Sequence, residues 1–235
     1  RHRLLTGSVV GAALVAAFVW AQEGLALLIL ATLTAIGLRE FYALLRSARI
    51  PSFDFIGTLA GIGIVAATWA SLRWGRPGRG GDADLLALFV AFFAVFARQF
   101  HQRWNLRPLE TMAGTLMGLL YVAFLMSFFV RILMGWGGGT LQGRWLLFYM
   151  IAVVKGSDIG AYFTGCAFGR HKLIPRISPA KSWEGVAGGV AAAVAVSLAA
   201  WAFSDGRIGP VRLHAADAVV LGALLAAVGI VGDLA

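Results

Sequence analysis

Two acidic residues stand inside otherwise apolar stretches of this sequence. Asp158 lies in the run KGSDIGAY, and Asp233 lies in the run GDL. An ionisable side chain within an apolar span costs about 2.5–3.5 kcal/mol on insertion scales, so one that persists marks a function or a buried pair. Two carboxylates from different helices suit Mg²⁺, which takes few protein oxygens and completes its coordination with water and phosphate. The sequence therefore makes Asp158 and Asp233 candidate metal ligands.

Other interpretations of these residues need no metal. Lys155 precedes Asp158 by three residues, so the two side chains share a helix face and could form an ion pair. Asp233 could be an ordinary carboxylate at a helix end. In a transporter, Asp158 and Lys155 would line an ion or proton path. Spacing alone leaves these alternatives open.

A polar, basic segment lies between the two acidic residues, with the sequence GRHKLIPRISPAKSWEG over Gly169–Gly185. Ser178 followed by Pro179 predicts a helix N-cap with proline at the first helical position. Such a helix start presents free N–H groups and a positive dipole end, which together favour phosphate. A membrane-anchoring loop is the alternative, and His171 is expected to be a loop residue. The basic candidates for phosphate contacts are Arg170, Lys172 and Lys181.

The composition requires that lipid surround most of the chain. Of 235 residues, 60% are hydrophobic and 13% are charged, against roughly 45–50% and about 25% in soluble domains. The expected fold is therefore an all-α polytopic transmembrane helix bundle in the lipid bilayer, with about eight spans close to the length that crosses the hydrocarbon. The predicted spans are Leu4–Ala21, Leu25–Leu45, Phe55–Leu72, Leu85–Ala97, Thr111–Leu133, Trp145–Phe168, Trp183–Phe203 and Ala215–Ala235.

The linkers between these spans are too short for a separate soluble domain. We expect a single integral membrane domain over 1–235, with N-terminal helices over 1–145 and a motif-bearing catalytic part over 146–235. The first span could be a secretory signal, but the spans that follow favour a retained helix. Small residues recur every fourth position after the basic segment, which predicts close helix packing and allows a homodimer. They are Gly185, Gly189, Ala193 and Ser197.

The net charge of +9 comes from 20 Lys and Arg against 11 Asp and Glu. Most basic residues lie between apolar runs, which is typical of loops near anionic headgroups and argues against a nucleic-acid partner. With the N-terminus inside, twelve basic residues fall on the inner side and seven on the other. This bias places the basic segment in the cytosol. The single Cys166 excludes an internal disulfide.

The runs DIGAYFTG, FGRHKL and ISPAKSWEG, between Asp158 and Gly185, resemble the phosphatidate cytidylyltransferases, or CDP-diacylglycerol synthases. A compatible layout of spans, with REFY at the second, extends the resemblance over nearly the whole chain. It implies transfer of CMP from CTP to phosphatidic acid, giving CDP-diacylglycerol and pyrophosphate with Mg²⁺. It also implies a bacterial cytoplasmic (inner) membrane, with the active site facing the cytosol.

The resemblance assigns roles by position. The catalytic candidates are Asp158, Lys181 and Asp233, of which Asp158 and Asp233 would hold the metal. The substrate-binding candidates are Arg170, Lys172, Ser178, Ser182 and Glu184. The role of Glu184 is left open by the motif.

The family's pattern continues past Gly-Asp-Leu with a Lys-Asp pair and a His-Gly-Gly stretch, whereas this sequence stops at Ala235. The catalytic part is therefore expected to be incomplete at its C-terminus. A cytidylyltransferase or CTP-dependent kinase acting on another lipid, such as a polyprenol, is the closest enzymatic alternative.

Overall fold

The structure is a computed structural model that describes residues 23–74, 83–102, 105–134, 140–176 and 178–232. In these ranges seven helices are long and apolar enough to cross a membrane. They confirm the predicted all-α polytopic membrane bundle and correspond to seven of the eight predicted spans. The first predicted span, Leu4–Ala21, lies outside the described residues.

The chain divides into two compact units, Arg1–Thr140 and Leu141–Ala235. The single-domain organisation inferred from the short linkers stays a prediction. The described helices of the first unit are α1 (Glu23–Ser47), α2 (Asp54–Trp74), α3 (Ala83–Phe100), α4 (Pro108–Gly118) and α5 (Leu125–Met134), with a π-helical segment, Leu119–Phe124, joining the last two. The short fourth span is α3, whose 18 residues extend about 27 Å at 1.5 Å per residue, nearly the thickness of the hydrocarbon.

Side chains from several helices fill the core of the first unit. Tyr42 of α1 is fully buried, and its hydroxyl donates to the carbonyl oxygen of Thr115, at 3.1 Å. Asp84 is 1% exposed and forms a salt bridge with Arg131, whose Nε lies 3.0 Å from Oδ2 of the carboxylate. A charge inside an apolar unit is thus neutralised by a partner on another helix.

The second unit contains three long helices and two small β-hairpins. Its elements are α6 (Thr140–Phe168), β1 (Lys172–Ile174), β2 (Ser178–Ser182), α7 (Trp183–Phe203), β3 (Arg207–Ile208), β4 (Val211–Arg212) and α8 (Ala215–Gly232). β1 and β2 are antiparallel, with Lys172 opposite Ser182 and Ile174 opposite Ser178. The first hairpin joins the end of α6 to the start of α7.

Small residues allow α7 to pack closely against its neighbours. The predicted row is confirmed, since Gly185, Gly189, Ala193 and Ser197 are all buried. Ser197 Oγ donates to the carbonyl oxygen of Ala218 in α8, at 2.6 Å, and lies 2.7 Å from the hydroxyl of Tyr149 in α6. This serine therefore ties the three helices together.

A substitution at the crossing of α6 and α7 tests this packing directly. A Cβ atom at Gly160 would overlap the methyl group of Ala192 and lie 2.8 Å from the carbonyl oxygen of Gly188. Gly160→Ala should therefore destabilise the protein by about 1–3 kcal/mol, as overpacking does. The measurement is thermal unfolding in detergent. Gly63→Ala is the control, because nothing lies within 4 Å of a Cβ atom at Gly63 and alanine is the better helix former. Equal melting temperatures for Gly160→Ala and the unmodified protein would contradict the packing.

Candidate functional site

A cavity of about 340 Å³ lies within the second unit, where α6 approaches the first hairpin and the start of α7. Helix α6 contributes two adjacent rows of residues spaced by four, which is the spacing of one helix face. The first row is Ser157, Ala161 and Gly165, and the second is Asp158, Tyr162 and Cys166. β2 and α7 contribute Ala180, Lys181, Ser182, Gly185 and Val186, and α8 contributes Ile230. Residues far apart in the sequence thus surround one cavity.

Asp158 lines this cavity and also forms the ion pair expected from spacing. Its Oδ2 accepts a hydrogen bond from Lys155 Nζ at 2.9 Å, and the two side chains are 45% and 69% exposed. The Lys155 contact therefore leaves the carboxylate accessible to a ligand in the cavity.

Lys181 and Ser182 approach the cavity from β2. The side-chain nitrogen of Lys181 is buried, and Lys181 lines the cavity wall together with Ser182. A positive charge held against a small cavity that also contains a carboxylate suits a ligand with several anionic oxygens and a cation. The cavity therefore carries both a positive and a negative side chain on its wall.

The prediction that Ser178 caps a helix is wrong. Residues Ser178–Ser182 form a strand, because they pair with Lys172–Ile174, and the helix begins four residues later. Ser182 is the N-cap, with extended backbone angles, and its Oγ accepts from the Gly185 N–H at 3.1 Å. Lys181 therefore lies in the strand before the helix and not in the first helical turn.

Some of the backbone N–H groups at the start of α7 already have hydrogen-bond partners within the protein. The Trp183 N–H donates to the carbonyl oxygen of His171, at 2.9 Å, and the Gly185 N–H is taken by Ser182. Two of the four N–H groups that a helix start leaves without helical partners are thus occupied. The lysine side chain, more than the helix end, supplies the positive charge of the cavity.

Glu184 fastens the loop after α6 to the start of α7. Its carboxylate accepts hydrogen bonds from the backbone N–H groups of Arg170, at 3.2 Å, and of His171, at 3.2 Å. The ring Nδ1 of His171 lies 2.6 Å from Oε1 of the same carboxylate. The three contacts fix the first residues of the β1–β2 hairpin, and through it the strand that carries Lys181.

The comparisons with known proteins agree with the motifs. The sequence model of the cytidylyltransferase family matches residues 1–235. The chain belongs to the cytidylyltransferase family.

Individual relatives are named phosphatidate cytidylyltransferase. The Haemophilus influenzae protein is 39% identical over 93 residues, which are 40% of this chain and 32% of the relative. The Pseudomonas aeruginosa protein is 51% identical over 65 residues, 26% of this chain and 24% of the relative. The Chlamydia pneumoniae protein is 27% identical over 211 residues, 88% of this chain and 68% of the relative. The matched part of this chain thus spans about a third of the Haemophilus influenzae protein, about a quarter of the Pseudomonas aeruginosa protein and about two thirds of the Chlamydia pneumoniae protein.

In this family member the cavity brings together three of the predicted site residues, Asp158, Lys181 and Ser182. Four other predicted residues do not line it, and their contact with substrate stays a prediction: Arg170, Lys172, Ser178 and Glu184. Asp233 lies outside the described residues. Its role as the second metal ligand therefore also stays a prediction.

Three cavity residues with a hydroxyl or thiol group were missed by the sequence analysis. Ser157, which is 4% exposed, Tyr162 and the free thiol of Cys166 all line the wall. None carries a charge, so nothing in an apolar span marked them. Stepping by four residues from Asp158 along the helix would have found Tyr162 and Cys166, because that step stays on one face.

The donor set bears on the expected magnesium ion. Among the described residues, no group of three or more His, Cys, Asp and Glu side chains could hold a metal. Mg²⁺ is usually bound by one or two carboxylates together with water and substrate phosphates, without an all-protein cage. An accessible carboxylate that shares a cavity with a lysine fits that mode of binding.

The loop contact makes a further prediction. Glu184→Ala should raise amide hydrogen exchange at Arg170 and His171 roughly tenfold or more, because both N–H groups lose a charged acceptor. Exchange measured by mass spectrometry on peptides of this loop tests it. His171→Ala is the matched control, since it removes the ring contact and keeps both backbone hydrogen bonds. Unchanged exchange in Glu184→Ala would show that the loop does not depend on this carboxylate.

Proposed function

We propose that this protein transfers CMP from CTP to phosphatidic acid, forming CDP-diacylglycerol and pyrophosphate. The observation that carries the proposal is the cavity in which Asp158 and Lys181, from two separate motifs, come together. The family match over the whole chain and the activity named for its relatives support it. The substrates of the proposal are therefore CTP and phosphatidic acid.

The reaction brings several anionic phosphate groups together, which explains the need for a cationic side chain in the cavity. A phosphatidate oxygen attacks the α-phosphorus of CTP, a new P–O bond forms, and the bond to the departing pyrophosphate breaks. Lys181 would offset the repulsion among these anions and stabilise charge that develops on the leaving group. The attacking phosphate is already ionised at neutral pH, so no strong general base is needed.

Asp158, together with Asp233, would hold Mg²⁺ in this proposal. A bound Mg²⁺ ion supplies charge neutralisation and orientation at the phosphate oxygens. Within the described ranges the ion pair of Asp158 is with Lys155, whose side chain is 69% exposed, so the carboxylate would be available to a cation. Ser157 and Ser182 are the neighbouring hydroxyl groups on the cavity wall, and Ser182 also holds the helix start in place.

The protein is an integral membrane protein, and we place it in the bacterial inner membrane with the cavity facing the cytosol. The excess of basic residues on the side of the first hairpin supports this orientation, and CTP is a cytosolic nucleotide. The diacyl tails of the substrate would remain in the bilayer beside the helices. A homodimer stays a prediction, because glycine-rich helix faces allow one but do not require it.

The deciding experiment follows the two labelled phosphates of CTP. The purified protein, in detergent with Mg²⁺ and phosphatidic acid, should move label from the α-phosphate of CTP into lipid and release the γ-label as pyrophosphate. Label passing from the γ-phosphate into lipid would indicate a CTP-dependent kinase. Flux of a solute in proteoliposomes without nucleotide would indicate a transporter. Either outcome would reject the proposal.

A binding measurement on the same preparation does not depend on turnover. Cys166 is the sole cysteine of the chain, is exposed and lines the cavity. CTP with Mg²⁺ should slow its labelling by a maleimide severalfold, because the occupied cavity excludes the reagent. UTP at the same concentration is the control for base selectivity. Labelling that is indifferent to CTP would separate this cavity from the nucleotide site.

A further inference from the structure

A second cavity of about 520 Å³ lies in the second unit, at the other ends of α6 and α7. Its wall includes Trp145 at the start of α6, whereas Gly165, twenty residues later on that helix, lines the first cavity. Twenty residues of α-helix extend about 30 Å, which is the thickness of the hydrocarbon core. The two cavities therefore lie toward opposite ends of α6, and so toward opposite leaflets of the membrane.

The wall of the second cavity is mostly apolar and aromatic. Trp145 is 53% exposed, Phe148 is 41% exposed and Phe203, at the end of α7, is 93% exposed. Ala152 and Ala200 add small side chains between these rings, which gives the wall a concave form. A groove of this size and lining fits a hydrocarbon chain better than a polar solute.

The rim of the groove carries two arginines in an unusual arrangement. Arg207 of β3 lines the groove, and Arg212 of β4 is its partner in register. Gly209, at φ 60°, and Pro210 make the two-residue turn that fixes this register. Like charges directly opposite each other on paired strands are destabilising. The hairpin thus places two like-charged residues directly opposite each other, at a cost.

Nothing in the described part of the chain neutralises this pair. Neither guanidinium group forms an ion pair there, and Asp205, two residues before Arg207, forms none with either. Both arginine residues are exposed. A phosphate group placed between them would turn the repulsion into two charge-assisted contacts. The charge and the lining therefore favour one class of ligand, an anion with a hydrocarbon chain.

We propose that this groove binds an anionic phospholipid of the membrane leaflet opposite the first cavity. Its phosphate lies at Arg207 and Arg212, and one acyl chain lies along Trp145 and Phe148. The lipid is bound and not converted, because the first cavity lies toward the other leaflet. The proposal is independent of the nucleotide chemistry and stands whether or not CTP is the substrate.

Native mass spectrometry of the protein in detergent tests this site. Palmitoyl-oleoyl phosphatidylglycerol should be retained in preference to phosphatidylcholine with the same chains. The double variant R207Q/R212Q should weaken the retention of phosphatidylglycerol about 30-fold, the effect of two arginines at an anionic membrane surface. Arg176→Gln is the matched control, since it removes a charge from the hairpin at the other end of the same helices and should leave retention unchanged.

A second variant tests the groove without altering its charge. Ala152→Phe should fill part of the cavity and lower phosphatidylglycerol retention, with both arginines in place. In vesicles, phosphatidylglycerol with brominated acyl chains should quench tryptophan fluorescence, and Trp145→Phe should remove part of that quenching. Equal retention of the two lipids, retention by R207Q/R212Q equal to that of the unmodified protein, or quenching unaffected by Trp145→Phe would overturn the proposal.

Discussion

Asp158→Asn is expected to lower the turnover of CTP by about 10²–10³-fold, the loss seen when one preorganised electrostatic group is removed from an active site. Asparagine keeps the size of the side chain and an oxygen for Lys155 Nζ, which now lies 2.9 Å from the carboxylate. It removes only the negative charge, so a lost cation is the direct consequence. Turnover with labelled CTP and phosphatidic acid is the measurement.

The structure supplies the control that the sequence lacked. If Asp158 serves only as the partner of Lys155, then Lys155→Met should reduce turnover as much as Asp158→Asn does. If Asp158 holds Mg²⁺, then Lys155→Met leaves the carboxylate in the cavity and most of the turnover intact. The carboxylate is 45% exposed and the lysine is 69% exposed, so neither substitution opens a cavity in the packed core, and both variants should remain folded.

A second measurement separates the metal role from a misfolded site. In the unmodified protein, Mg²⁺ should strengthen the protection of Cys166 by CTP, because Asp158 would hold the ion in the cavity, where it would neutralise charge on the nucleotide phosphates. In Asp158→Asn this dependence on Mg²⁺ should be lost, while maleimide still reacts with Cys166 in the absence of CTP. Asp158→Asn with normal turnover and normal Mg²⁺ dependence would rule out Asp158 as a metal ligand.

Much of the helical layout could be predicted from the sequence because lipid imposes a simple rule. A span must be long and apolar, so hydropathy locates it, and seven of the predicted spans have matching helices. The row of small residues was predictable for a related reason. Two helices can approach closely only where their facing residues are small, as at Gly189. These features follow from local composition alone.

The hairpins could not be predicted in this way because they depend on pairing between short segments. Ser178 and Pro179 have the local signature of a helix start, and Ser182 has an equally good one four residues later. The choice is made by the ladder from Lys172–Ile174 to Ser178–Ser182, a contact that no local pattern contains. Two strands of three and five residues are also too short for a periodic signal.

The same pairing separates two lysines that the motif had treated alike. The basic segment made Lys172 and Lys181 alike candidates for contact with phosphate oxygens. In the folded hairpin Lys181 lines the cavity, with its nitrogen buried, whereas Lys172 is exposed and outside the cavity wall. A motif records which residues occur together, and only the fold decides which side of a strand each one occupies.

The different positions of the two lysines predict different effects of their substitution. Lys181→Met should lower kcat/KM for CTP by about 10²–10³-fold, because a cation held beside the reacting phosphates acts without reorganisation. Methionine keeps the length of the side chain, so the wall of the cavity remains.

Lys172→Met removes the same charge from the neighbouring strand and should change kcat/KM far less, by the general loss of positive potential alone. Salt sensitivity distinguishes the two, since added salt screens the exposed charge and acts weakly on the buried one. Equal losses in the two variants would mean that the hairpin contributes only its overall charge, and that Lys181 has no position of its own beside the phosphates.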